Sequence, residues 1–275
     1  MTICSYTKQD KIQEIGVNVR KKSIAVIRQM FTDGKITEET LEALKLDERK
    51  GVQTLLARHE KTKLKQQKLI ENYAEMMRFE NEAKAQGYEF IAGVDEAGRG
   101  PLAGPVVSAA VILPHDFTLV GLNDSKQLSE EQRNTFFDII KENAISFSVS
   151  MVSNEAIDKM NILEATKLSM RQAIDNLKKQ PDHVLIDAVA LPHLPCTSQA
   201  IIKGDARSVS IAAASILAKV ARDRFMKEIH NQYPMYDFDS NMGYGTKKHM
   251  DSLLEYGATP YHRKSFAPVR NVIGQ

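Results

Sequence analysis

Four carboxylates stand in positions that a purely structural chain has little reason to fill. Asp95 and Glu96 end an apolar run over residues 89–95 and lead at once into Ala97-Gly98-Arg99-Gly100-Pro101-Leu-Ala-Gly104-Pro105. A packed strand does not continue as three glycines and two prolines, whereas a backbone that something must approach closely does. Asp187 closes the short apolar run His183-Val-Leu-Ile, and Asp205 lies in Lys203-Gly-Asp-Ala just before a helical stretch. Adjacent strand residues point to opposite faces, so Asp95 and Glu96 can share a site only at a strand end or a bulge. Carboxylate oxygens with no accompanying His or Cys cluster favour Mg²⁺ or Mn²⁺ over zinc. Two such ions would activate a water and stabilise the leaving oxygen in phosphodiester hydrolysis. Plainer readings exist for each acid: an acidic turn for Asp95-Glu96, a strand-closing turn for Asp187, and a cap for Asp205 on the helix beginning near Ser208. A Rossmann or P-loop site is excluded, because the glycines are spaced G-x-G-x-x-x-G without G-K-[ST] and a proline-flanked strand follows them.

The elements that must carry these acids begin at Tyr88. Strand-like runs cover residues 89–95, 104–113, 145–152, 183–187 and 199–203, and helical patterns cover 129–143, 154–179 and 208–233. The first helical pattern opens on the capping box Ser129-x-x-Gln132, and the last carries an Ala-rich face suited to close packing. This alternation predicts an α/β fold, a mixed β-sheet flanked by helices. Before Tyr88 the texture differs: Lys, Glu and Gln dominate and prolines are absent. A small helical domain is expected there. Asp33-Gly34 ends a stretch over 23–31, Thr37 caps a second with Glu38 and Glu39 in its first turn, and 52–85 forms a long third stopped by Gln86-Gly87. Lys61, Lys63, Lys65 and Lys68, with no acid between residues 61 and 70, form a stripe that could meet a phosphate backbone or simply be solvated.

With 275 residues, 43% hydrophobic and 26% charged, the chain has an ordinary globular composition. No run approaches the roughly 18 to 20 apolar residues that span a bilayer, and residues 1–22 lack a signal-peptide core, so a cytoplasmic protein with no membrane contact is expected. Cys4 and Cys196 have no CxxC spacing and read as free thiols. The net charge of +2 leaves any polyanion to a local patch.

Five segments, in order, carry a resemblance: Gly93-Val-Asp-Glu-Ala-Gly-Arg-Gly-Pro-Leu-Ala-Gly-Pro-Val-Val107, Asn123-Asp-Ser-Lys-Gln-Leu-Ser129, Lys203-Gly-Asp-Ala-Arg-Ser, Ala212-Ala-Ala-Ser-Ile-Leu-Ala-Lys-Val-Ala-Arg-Asp223 and Gly243-Tyr-Gly-Thr246. Together they resemble bacterial ribonuclease HII, the type 2 ribonuclease H family, over residues 88–268. The resemblance implies a ribonuclease H-like catalytic domain over 71–275 preceded by a helical extension over 1–70 that shorter members lack. It places Asp95, Glu96, Asp187 and Asp205 in a four-carboxylate site for two Mn²⁺ or Mg²⁺ ions. The implied activity is cleavage 5′ to a ribonucleotide embedded in duplex DNA, and of RNA in RNA–DNA hybrids, leaving 3′-hydroxyl and 5′-phosphate ends, as in ribonucleotide removal from DNA. Gly98, Arg99 and Gly100 match the Gly-Arg-Gly motif set against the 2′-hydroxyl, which separates RNA from DNA. Tyr244 matches the tyrosine that packs on the sugar 3′ to the ribonucleotide, and Ser125 and Lys126 match a segment near the substrate phosphates. Asp124 and Asp223 are not ligands in the family pattern; Asp223 is expected to pair with an arginine. For His262-Arg263-Lys264, DNA contact and packing of the tail stand equal. A monomer is expected, with sliding-clamp contact left open. Two rivals remain: a nuclease of the same fold restricted to long hybrids, and a non-catalytic duplex-binding module built on the helical extension.

Overall fold

The computed structural model describes residues 8–274, with side chains from Glu14 onward; Cys4 lies outside them. The chain divides into two compact units between Glu71 and Asn72. In the first, α1 (Lys8–Arg20), α2 (Ile24–Thr32), α3 (Glu38–Lys45) and the first part of α4 (Lys50–Met76) enclose Val19, Ile27, Leu44, Val52 and Leu56. Ser23 and Thr37 cap α2 and α3 through their side chains, accepting from Val26 and Thr40. Arg49 closes this unit: it grips Asp47 at 2.7 Å and donates to the Lys22 carbonyl at 2.8 Å. Lys61, Lys63, Lys65 and Lys68 are all exposed on α4.

In the second unit, α5 (Arg78–Ala85) precedes a five-stranded sheet of order β3-β2-β1-β4-β5, in which β1 is Ile91–Ala97, β2 Val106–Ile112, β3 Ser146–Val152, β4 His183–Asp187 and β5 Thr197–Ile201. Strands β1, β2 and β3 pair antiparallel, whereas β1, β4 and β5 run parallel, so the sheet is mixed as expected. On one face α8 (Ile162–Asp175), reached through α7 (Asn154–Met160), buries Met170, Ala173 and Ile174 against Ala92, Val94, Val184 and Ile186. On the other, α9 (Val209–Gln232) packs its alanines on Ala109 and Val111, flanked by α6 (Glu130–Asn143). Helices α10 (Phe238–Asn241), α11 (Lys247–Tyr256) and α12 (Ala267–Ile273) close a further core with Leu102, Met226 and Phe238.

Several boundaries differ from the sequence reading. Strand β1 runs through both acids to Ala97, because β2 pairs with it without a bulge from Ala92↔Ile112 to Ala97↔Val107. Strand β5 lies earlier than 199–203: register with β4 places it at Thr197–Ile201, and Ile202 is 73% exposed. The helical stretch 154–179 is two helices. Asn161, at φ +77°, ends the first and caps the second, its Oδ1 accepting from Leu163 and Glu164. The long pattern 52–85 breaks at Met77 without Gly or Pro, where the buried face passes from Tyr73 and Met76 to Phe79 and Ala83, which lie in different core clusters. Capping box Ser129/Gln132 is present with both of its bonds.

Candidate active site

The parallel half of the sheet assembles the acids. Val94 pairs with Ile186, so Asp95 and Asp187 follow side by side at the ends of β1 and β4, while Asp187 also pairs with Ile201 at the end of β5. The chain leaving β5 turns through Gly204–Ala206, which carries Asp205. Asp187 Oδ1 accepts the Gly204 amide at 2.6 Å and so ties that turn to β4. Asp205 does not cap α9; Ser208 does, accepting from Ile211. Glu96 continues β1 beyond Asp95 with its side chain only 11% exposed, and the strand end, not a bulge, is what lets the pair serve one site.

Burial raises the Asp95 carboxyl well above the usual range, and Glu96 and Asp187 push the same way. Glu96 and Asp187 are raised too, again chiefly by burial, with Asp187 and Asp205 respectively adding to it. Charges that repel one another in a poorly solvated pocket take up protons. Three groups oppose this. Ser215 on α9 hydrogen-bonds Asp95. Arg99 approaches Glu96 at 3.5 Å, and Lys126 lies 3.6 Å from Asp205. Burial works against the Lys126 charge, but Asp124, Asp205 and Asp95 outweigh it and hold the ammonium above its ordinary range. Among the described residues no three His, Cys, Asp or Glu side chains converge into a ready cation cage. The donor set still suits a hard divalent cation: oxygen only, mutually repelling, and with Glu96 Oε2 buried and unpartnered.

Beside the acids, two loops meet. The Gly98 and Arg99 carbonyls are both turned inward onto Arg263, at 2.6 and 2.9 Å. A trans peptide sends its N–H opposite to its C=O, so the amides of Arg99 and Gly100 face away from Arg263, toward the outer side. Gly98 sits at φ +94°, and a Cβ there would lie 2.0 Å from Arg222 Nε. Arg263 also holds the Gly104 and Pro105 carbonyls, while Arg222 holds those of Ala103, Pro105 and Met242. Both arginines are buried and make no ion pair among the described residues; burial pulls them down to about 9 and about 10 respectively, with the nearby Arg222 adding to the fall at Arg263. Tyr244 is 48% exposed, and its Cε1 stands 3.4 Å from where a Gly100 side chain would begin. The Gly-Arg-Gly loop and Tyr244 are therefore neighbours.

The structure thus brings together Asp95, Glu96, Asp187, Asp205, Arg99 and Lys126, with Gly98, Gly100 and Tyr244 alongside. Ser125 differs: it is buried and its hydroxyl lies 3.0 Å from Ser215 Oγ, so it supports the acids from behind instead of reaching outward. Asp223 pairs with Lys219 at 2.7 Å, one helical turn away, and not with an arginine. Of His262-Arg263-Lys264 the first two are fully buried and only Lys264 is exposed, so packing prevails there. The roles of Ser215 and Arg222 escaped the sequence reading, which for Arg263 left DNA contact and packing equal. For the first two the one available signal was a charged residue or serine inside an otherwise apolar close-packing helix.

Comparison with known proteins identifies the family. The family model described as ribonuclease HII matches residues 92–269, and that described as the ribonuclease HII N-terminal domain matches residues 23–84. Ribonuclease HII of Oceanobacillus iheyensis is 57% identical over 251 residues, covering 91% of this chain and 96% of that protein. Among solved structures, ribonuclease H2 of Pyrococcus horikoshii OT3 superposes with a TM-score of 0.59 at 28% identity, covering 67% of this chain and 97% of that one. Ribonuclease HII of Archaeoglobus fulgidus, solved in complex with PCNA, does so with a TM-score of 0.55 at 27% identity, covering 64% and 94%. On the match across most of its length, the chain belongs to the ribonuclease HII family and is a hydrolase, a ribonuclease H.

Proposed function

We propose that this protein cleaves the phosphodiester 5′ to a ribonucleotide embedded in duplex DNA, and RNA in RNA–DNA hybrids, leaving 3′-hydroxyl and 5′-phosphate ends. The observation that carries the reading is the juxtaposition of the acid cluster of Asp95, Glu96, Asp187 and Asp205 with outward amides at Arg99 and Gly100 and the exposed Tyr244 ring. Divalent cations, Mg²⁺ or Mn²⁺ and two in the working complex, would be held by those four carboxylates and would supply charge neutralisation and an activated water. The chain's own residues do the rest. Lys126, exposed over Asp205, is placed to meet a substrate phosphate. The amides beyond Gly98 can approach a ribose 2′-hydroxyl without side-chain obstruction. Tyr244 offers a flat apolar face to the next sugar, which fits best where that sugar is a deoxyribose. Such an enzyme acts as a monomer in the cytoplasm and serves removal of ribonucleotides from DNA; the complex with PCNA of the Archaeoglobus protein supports clamp contact as part of the same reading.

A labelled DNA duplex containing one ribonucleotide, assayed beside a long RNA–DNA hybrid with Mg²⁺, Mn²⁺ or EDTA, tests this. The expected result is a nick 5′ to the ribonucleotide that disappears with EDTA. Cutting of the hybrid alone would remove the junction-sensing role of Tyr244 and Gly98–Gly100. Absence of any cutting would favour the duplex-binding alternative.

A further inference from the structure

Behind Tyr244 lie two fully buried imidazoles, His249 and His262, whose Nε2 atoms are 2.9 Å apart. One hydrogen bond fixes the polarity of the whole row. The Thr259 amide donates to His262 Nδ1 at 2.9 Å, and the Thr259 hydroxyl, 2.8 Å from the same atom, is left to donate to it as well, so that nitrogen carries no proton. A neutral His262 then bears its proton on Nε2 and donates it to His249 Nε2. His249 must in turn be protonated on Nδ1, which lies 2.9 Å from the Tyr244 carbonyl and donates to it. Burial depresses both imidazoles, His262 to about 4, in keeping with two neutral rings of opposite tautomer.

The end of this row matters because it reaches the Tyr244 carbonyl, in a turn also pinned by the Tyr244 amide on the Asn241 carbonyl at 2.9 Å and the Leu102 amide on the Gly243 carbonyl at 2.8 Å. Glycines flank it on both sides, and its ring is half exposed. Its carbonyl receives the Thr246 amide at 2.8 Å from one direction and His249 from the other. His262 also forms a bridge with Ala103, and the next residue is Arg263, which grips the Gly98 and Arg99 carbonyls. Two consecutive residues therefore reach the two loops that flank the acids. We propose that His262 and His249 are positioning residues for the reaction: they set the Tyr244 backbone, and hence its ring, in register with the Gly98–Gly100 loop, and so govern the preference for a ribonucleotide followed by DNA. This rests on the reading of Tyr244 as the residue that meets the sugar.

The test uses the full-length chain and two variants that split the row. His249→Asn keeps an amide nitrogen near the Nδ1 position and can still donate to the Tyr244 carbonyl; His249→Gln places its oxygen toward His262 and leaves that carbonyl without its second donor. The readout is the ratio of kcat/KM on the single-ribonucleotide duplex to that on a long hybrid. The ratio is expected to fall about tenfold in His249→Gln and to stay within about threefold in His249→Asn, with both melting cooperatively. An unchanged ratio in His249→Gln, or equal losses on both substrates in both variants, would overturn the inference. Tyr244→Ala, run in parallel, separates the failures. A lowered ratio there with none in His249→Gln sinks the histidines alone, whereas an unchanged ratio in Tyr244→Ala sinks the reading of Tyr244 and the inference with it. Should the variants not fold, ¹⁵N imidazole spectra of the unaltered protein decide: His249 protonated on Nδ1 and His262 on Nε2 is expected, and any other pair of tautomers refutes the row.

Discussion

On the proposed function, Asp95 sets stability against activity at the scale of one residue. Its carboxyl is raised in the folded chain, so the folded state binds more protons than the unfolded one at pH values between the two pKa values. Stability is consequently lost as pH rises through that window, and the penalty is complete above the folded pKa. Asp95→Asn should therefore raise the thermal midpoint of the metal-free protein at neutral pH while abolishing cleavage. A higher midpoint for the variant than for the unaltered protein, both metal-free, is the expected calorimetric result. By the same linkage, a divalent cation held as proposed would displace protons from Asp95, Glu96 and Asp187, and calorimetric titration in buffers of different ionisation enthalpy should register proton uptake by the buffer and an affinity that rises with pH. His262 behaves in the opposite sense. Its folded pKa is depressed to about 4, below the ordinary 6.5, so the unfolded state takes up the proton first as pH falls. Stability should drop by roughly 3 kcal/mol between about pH 6.5 and pH 4, and a His262→Asn variant should show a flatter profile of midpoint against pH in that window.

Elements divide into those legible from local pattern and those set by distant partners. Caps at Thr37 and Ser129, the stop at Gly87 and the apolar runs of β2, β3 and β4 could be read because each signal lies within a few residues of its effect. Asp95 and Asp187 stood out for a similar reason: a carboxylate ending an apolar run is visible locally. The partners of Arg263 were not legible, since the carbonyl it serves at Gly98 is 165 residues away. The same holds for Glu80 on α5, whose Oε1 accepts from Ser208 Oγ at 2.6 Å and the Ser210 amide at 2.8 Å and thereby completes the α9 N-terminus 128 residues on. Strand β1 and helix α9 touch backbone to backbone at Gly93, where a Cβ would lie 2.0 Å from the Ser210 carbonyl carbon. Neither backbone can give way cheaply. Gly93→Ala should cost about 3 kcal/mol, at the upper end for overpacking, and should be seen as a lowered urea midpoint with the slope unchanged.

At the scale of the whole molecule, the division between Glu71 and Asn72 does not coincide with the end of the N-terminal family match at residue 84. Residues 72–85 belong to the catalytic unit: Tyr73 donates to the Phe117 carbonyl at 2.7 Å, Met76 and Phe79 are buried in its core clusters, and Glu80 caps α9. A chain beginning at residue 72 is expected to melt cooperatively within a few degrees of the full protein, and one beginning at residue 86 to lose several kcal/mol. Paired thermal melts of the two truncations check this. Duplex affinity of the first across salt would further count phosphate contacts made by Lys61, Lys63, Lys65 and Lys68, at about 0.9 in the logarithmic slope for each.

The two buried arginines have one more consequence. Each guanidinium is stripped of water and hydrogen-bonded to carbonyls drawn from residues 98–105 and 242, with the Phe266 ring 5.1 Å from Arg263 Cζ, so release of any one of those carbonyls leaves a buried donor unpaired. A glycine-rich surface loop would ordinarily fray on its own. Here its opening is tied to expulsion of both cations, so its hydrogen-bonded amides, Leu102 to the Gly243 carbonyl and Gly104 to the Tyr261 carbonyl, should exchange with deuterium only in the slow, global class to which the central strands belong, while the outward amides of Arg99 and Gly100 exchange fast.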